Sequence, residues 1–159
     1  MIKHPIEPVY DKDSRILILG SFPSVKSREN MFFYGHPSNR FWKVISAVFD
    51  ADTPNSLDEK KAFLKANNIA LWDVIASCDI QGSADSTISN VVPNDLNVIF
   101  KSADIQCVFV NGKTAKKYYN KYLKDTVGRE AVCLPSTSPA NAAWSLERLI
   151  KEWTIQIKR

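Results

Sequence analysis

Arg15-Ile16-Leu17-Ile18-Leu19-Gly20 places four consecutive aliphatic residues between an arginine and a glycine. A run of that length, apolar on both alternating faces, predicts a strand covered on both sides, as in the interior of a parallel sheet. Gly20 then allows the chain to turn sharply off the strand end. Three further runs repeat the theme: Ile69 to Ile75, Ile105 to Val110 and Ala131 to Leu134. Between them the apolar positions recur at helical spacing. Helices are predicted over Phe41 to Phe49 with Ser38 as N-cap, Ser56 to Asn67, Asn94 to Ser102, Thr114 to Leu123 and Ala142 to Ile157. Strands alternating with helices imply one α/β domain spanning residues 1–159, with a core at about 15–157. Its centre is a parallel four-stranded sheet flanked by helices on both faces.

Ligands of such sheets sit at the carboxyl ends of the strands. Chemistry is therefore expected in four loops: Gly20 to Asn39, Asp73 to Asn90, Asn111-Gly112, and Pro135 to Asn141. The polar segment Cys78 to Asn90, with Gly82, Ser83, Asp85 and Ser86, reads as a loop throughout.

In the first loop, Gly20-Ser21-Phe22-Pro23-Ser24 is a stiff turn. It is followed by Tyr34-Gly35-His36-Pro37-Ser38-Asn39-Arg40-Phe41-Trp42. Asn39 is expected in the first helical turn, where an amide can donate and accept while the helix terminus favours negative charge. It could equally support the cap, and Tyr34 could equally be core. The last loop, Pro135-Ser136-Thr137-Ser138-Pro139-Ala140-Asn141, is small, rigid and rich in hydroxyls, suited to a phosphate backbone or to an elaborate cap. Asp73 and Asp85 could orient water or fold their loops.

Composition narrows the classes. The net charge is +4 and the pI about 8.9, compatible with a polyanionic partner. Lys113, Lys116, Lys117, Lys121 and Lys124 share a helix face that is either solvated or phosphate-facing. Cys78, Cys107 and Cys133 are scattered and read as reduced thiols, and no ligand cluster has metal spacing. No metal and no cofactor is expected. No apolar run approaches membrane length and no leader pattern opens the sequence, so a cytoplasmic, monomeric protein is expected. Phosphate-loop, dinucleotide-fold and nucleophile-elbow motifs are absent. With only His4, expected to fray at the terminus, and His36, a hydrolytic triad has little to work with.

The loops together resemble the uracil-DNA glycosylase superfamily. The segment His36 to Ile45 is similar to the mismatch-specific branch. Gly20 to Ser24, Leu71 to Cys78, Gly82 to Ser86 and Pro135 to Asn141 look more like the hypoxanthine (deoxyinosine) glycosylases. The resemblance runs in order from about residue 15 to 150. It departs from other branches at Phe22, where they carry a polar residue near the turn, and in Pro135 to Asn141, which lacks a histidine.

The resemblance implies a monofunctional glycosylase that flips a deaminated base out of DNA and hydrolyses its glycosidic bond. Asn39 would be the catalytic amide. Gly20, Ser21, Phe22, Pro23 and Tyr34 would bind the base, with Tyr34 stacking on it. Arg40, Ser136, Thr137, Ser138 and Asn141 would contact DNA, although Arg40 could instead pair with Asp73. Competing readings are a uracil/thymine mismatch glycosylase, an inactive DNA-binding relative and a nucleotide-binding α/β protein.

Overall fold

The computed structural model describes residues 1–158. In chain order its elements are β1 (Ile2–Lys3), β2 (Ile16–Gly20), α1 (Val25–Asn30), α2 (Phe41–Val48), α3 (Leu57–Ala66), β3 (Ile69–Asp73), β4 (Ile75–Asp79), β5 (Ser89–Pro93), α4 (Asn97–Phe100), β6 (Cys107–Asn111), α5 (Lys113–Tyr122), α6 (Lys124–Val127), β7 (Val132–Leu134) and α7 (Leu146–Ile157).

Four strands form a parallel sheet in the order β3-β2-β6-β7. β2 is central, which explains why its run is apolar throughout: Leu17, Ile18 and Leu19 are fully buried. Alternation sends Ile16 and Ile18 to one face, with Phe41, Val44, Ile45, Leu64, Leu149 and Trp153 of α2, α3 and α7. Leu17 and Leu19 go to the other face, with Ile99, Ala115, Tyr118 and Tyr119 of α4 and α5. Each buried large side chain contributes roughly 1.5–3 kcal/mol, so the two clusters clamp the sheet from both sides.

A second, three-stranded antiparallel sheet, β1-β4-β5, lies outside the sequence reading. The run Ile69 to Ile75 does not continue as one strand. It breaks at Val74, whose N–H is taken by the Gly20 carbonyl, and the chain re-enters as β4. Part of the segment read as a loop, Cys78 to Asn90, is therefore strand. A short helix, α1, also stands inside the first loop, capped by the Ser24 side chain on the Ser27 N–H.

Helix boundaries move for local reasons. α3 begins with the Ser56–Glu59 capping box. α7 begins at Leu146 rather than at Ala142, with Ser145 as its N-cap, whose hydroxyl accepts from the Arg148 N–H. α4 shrinks to four residues. Ser38 does not cap α2. Arg40 occupies the N-cap, with no side-chain cap bond of its own, and Asn39 precedes it.

Candidate active site

The carboxyl ends of β2, β3 and β6 open onto one cleft of about 550 Å³. That is within the range of small-molecule sites. Its position, where the parallel strand order reverses on either side of β2, is where such sheets bind ligands. Gly20, Ser21, Phe22 and Pro23 line it, as do Tyr34, Asn39, Asp73, Asp85, Asn111 and the loop Ser136 to Ala140. The structure thus brings together all five residues expected to bind the base, and Asn39 with them.

Asn39 is fixed from its oxygen side. Its Oδ1 accepts the Phe41 N–H at 2.9 Å and the Thr137 hydroxyl at 2.9 Å. The Thr137 hydroxyl in turn accepts from Asn111 Nδ2 at 3.1 Å, and Asn111 Oδ1 accepts the Thr137 N–H at 3.2 Å. This relay sets the orientation of the amide. Nδ2 must be the free end: the bonds of this side chain to described residues all use Oδ1, and the side chain lines the cleft. An oxygen already holding two donors is poorly placed to take a third from water. What the site offers at Asn39 is an N–H donor.

Thr137 is fully buried. Its expected contact with DNA is replaced by this internal role, which needs a hydroxyl that donates and accepts at once. Arg40 does not pair with Asp73. Its guanidinium donates to the carbonyls of Ser138 and Asn141, both at 3.1 Å, and of Trp144. The arginine ties the last loop to the start of α2. Ser136 and Ser138 accept backbone N–H groups two residues on, and Asn141 Nδ2 donates to the Ser136 carbonyl at 3.0 Å, so the loop is braced by its own hydrogen bonds.

Tyr34 has a left-handed backbone, φ 54. One face of its ring is stacked on Phe41, centroids 4.0 Å apart. Its hydroxyl is buried without a hydrogen-bond partner. Burial first, and the Asp73 carboxylate second, push the phenol far above its ordinary value, with the Asn111 side chain countering them. Phe22 is buried under the cleft, edge-on to His4 at 5.9 Å.

His4 is the residue that sequence reasoning missed. Far from fraying, it is carried into the protein just past β1. There Nε2 meets Asp73 Oδ2 at 2.7 Å, with both side chains about 95% buried. A lone histidine near a terminus gives no signal of a partner 69 residues away. Asp85 sits at the mouth, 3.5 Å from the Ser21 hydroxyl. Crowding by the protein raises its carboxyl above the ordinary value, the bonds from Thr114 and Ser21 lower it, and Asp73 raises it further.

Fold and site together define an α/β protein with a cleft of small-molecule size at the strand ends, a fixed amide donor inside it and a hydroxyl-rich loop at its rim. The family model described as "Uracil DNA glycosylase superfamily" matches residues 7–156, and the chain belongs to that superfamily. It is 36% identical over 155 residues to a protein of Methanosarcina acetivorans named hypoxanthine DNA glycosylase, covering 96% of each chain. It is 32% identical over 161 residues to one of the same name from Methanosarcina barkeri, covering 100% of each. It also superposes with TM-score 0.82 and 34% identity on a solution NMR structure from Methanosarcina acetivorans, provisionally described as a uracil DNA glycosylase. That match covers 98% of this chain and 96% of the other.

Proposed function

We propose that this single glycosylase-like domain, residues 1–159, releases hypoxanthine from DNA by hydrolysis of the N-glycosidic bond, leaving an abasic site for base excision repair. The observation that carries the proposal is the Asn39 amide, locked through Oδ1 with Nδ2 left free in the cleft. The two Methanosarcina relatives named for hypoxanthine support the choice of base.

The target base lies inside the stack and must be flipped out, at a cost of a few kcal/mol that is least for a mismatched base. As the bond to the sugar breaks, negative charge gathers on the purine and positive charge on the sugar. Asn39 Nδ2 serves as a preorganised donor to the acceptor edge of the departing purine. One such donor is typically worth about 2.7–4 kcal/mol. Phe22 and the backbone of Gly20 to Pro23 wall the pocket. Tyr34 contributes to that wall with one ring face already committed to Phe41. Ser136, Ser138 and Asn141 follow the phosphates at the rim, and Arg40 acts through them by holding their loop. The lysines Lys113, Lys116, Lys117 and Lys121 are exposed on α5, which leaves the cleft at Gly112, and extend the same track. Lys124 is instead paired with Glu130 at 2.7 Å. Among the described residues no helix is long and apolar enough to cross a membrane. The protein acts as a monomer on DNA in the cytoplasm and needs no cofactor.

The test is one panel of duplexes containing hypoxanthine, xanthine, uracil or a G:T mismatch, each treated with alkali after incubation. Strand cleavage from hypoxanthine, lost in Asn39→Ala, is the expected result. Cleavage from uracil alone would replace this reading with a uracil enzyme, and binding without cleavage would point to an inactive relative.

A further inference from the structure

The mechanism above does not use the buried His4–Asp73 pair, whose Asp73 lines the floor of the cleft. Asp73 ends β3 at the floor and is 4% exposed, whereas Ser21, Ser83 and Asp85 stand nearer the mouth. Its two oxygens are not equivalent. Oδ2 is held by His4 Nε2 at 2.7 Å. Asp73 lines the cleft, and Oδ1 accepts no side-chain or backbone hydrogen bond from the described residues. It lies over Gly20, 2.4 Å from where a Cβ would begin, so it occupies space that only a glycine leaves open. His4 is itself oriented. The Ile6 N–H donates to Nδ1 at 3.2 Å, which leaves Nε2 as the protonated nitrogen and makes the imidazole the donor to Asp73. The rings of Phe22, Phe33 and Trp72 pack around it.

A carboxylate is an acceptor only. When a nucleotide enters, its phosphates stay at the rim and the Watson–Crick edge of its base reaches deepest. Hypoxanthine presents N1–H there, whereas adenine presents a bare N1 lone pair, which a carboxylate repels. We propose that Asp73 Oδ1 accepts the N1–H of the flipped base and so excludes adenine, and that His4 is a positioning residue that keeps Oδ1 aimed. This rests on the hypoxanthine reading above and adds to it the atoms that tell the deaminated base from its parent.

The test measures single-turnover excision from duplexes carrying hypoxanthine, 1-methylhypoxanthine or adenine. The proteins are wild type, His4→Ala, His4→Gln and Asp73→Asn, with thermal unfolding recorded for each. Wild type should prefer hypoxanthine over its N1-methyl analogue on the order of 100-fold, the cost of leaving a buried acceptor unpaired. His4→Ala should shrink that ratio to about 10-fold or less, and His4→Gln, which keeps a donor toward Asp73, should restore most of it. Asp73→Asn, whose amide can donate to a bare N1, should raise adenine release relative to hypoxanthine, a change that steric loss of the carboxylate would not produce.

Equal wild-type rates on hypoxanthine and the N1-methyl analogue overturn the proposal while leaving the glycosylase reading intact. So does a lower rate in His4→Ala at an unchanged ratio, which a merely structural histidine would give. No wild-type product from hypoxanthine overturns the glycosylase reading, and this inference falls with it.

Discussion

The Thr137 hydroxyl donates to Asn39 Oδ1 at 2.9 Å across 98 residues of chain. That single bond couples the last loop to the amide in the cleft, and it is what makes Nδ2, rather than Oδ1, the end that faces a ligand. Thr137→Val keeps the shape but removes the donor and strands Asn111 Nδ2. We expect a loss of about 1–3 kcal/mol in stability and roughly a tenfold slower single turnover, read by thermal unfolding and by product formation from a hypoxanthine duplex. A rate as fast as wild type would mean that Phe41 N–H alone holds the amide.

Gly20 has an ordinary φ, so an added methyl meets no backbone strain there. It would instead meet Asp73 Oδ1 at 2.4 Å and the Tyr34 hydroxyl at 3.1 Å. Gly20→Ala should therefore displace the carboxylate, destabilise the protein by about 1–3 kcal/mol through overpacking, and lower hypoxanthine excision by more than tenfold. Unchanged activity would show that the cleft floor can yield without cost.

Arg40 spreads one guanidinium over three carbonyls, a geometry that a compact ammonium on a flexible four-carbon stem cannot copy. Arg40→Lys and Arg40→Ala should both loosen the 136–144 segment, with stability losses of about 1.5–3 kcal/mol. If Arg40 acts by holding the loop, the salt dependence of DNA binding should keep its slope in both variants. A shallower slope, by about one counterion, would reveal a direct phosphate contact.

Asp85 sets a pH dependence. Its folded-state pKa is raised, chiefly by partial desolvation at the cleft mouth although the residue remains exposed, so the folded protein holds this proton more tightly than the unfolded chain does. The favourable contribution is present below the unfolded value of about 4 and is lost as pH rises through the raised folded value. Asp85→Asn should consequently raise Tm at pH 7 and flatten the Tm profile across the weakly acidic range. A Tm lowered at pH 7 and unchanged at pH 4 would show that the carboxylate stabilises its loop instead.

The four parallel strands were legible because each carries a short, mainly apolar run, most completely in central β2; polar Asp73 and Asn111 appear only where β3 and β6 open onto the cleft, and edge strand β7 is partly exposed. The antiparallel sheet was not. β1 has two residues, and β5 reads Ser-Asn-Val-Val-Pro, mostly exposed, so neither carries a hydrophobic pattern. Asn39 was found because motif order pointed to it, but its role as donor came from Thr137 and Asn111, which approach from two other strand ends. Thr137 looked like a DNA contact because a threonine in a hydroxyl-rich loop gives no sign of being buried. His4 was invisible for a related reason: its meaning lies wholly in Asp73, and only the pairing of β1 with β4 brings the two together.

Asn39→Asp tests the central assignment most directly. It leaves one oxygen to accept from Phe41 N–H and Thr137, and replaces the Nδ2 donor with a second oxygen. Single-turnover release of hypoxanthine should fall by about 10²–10³ with Tm close to wild type. A rate within twofold of wild type would contradict the account, because an acceptor would then be doing what is assigned here to a donor.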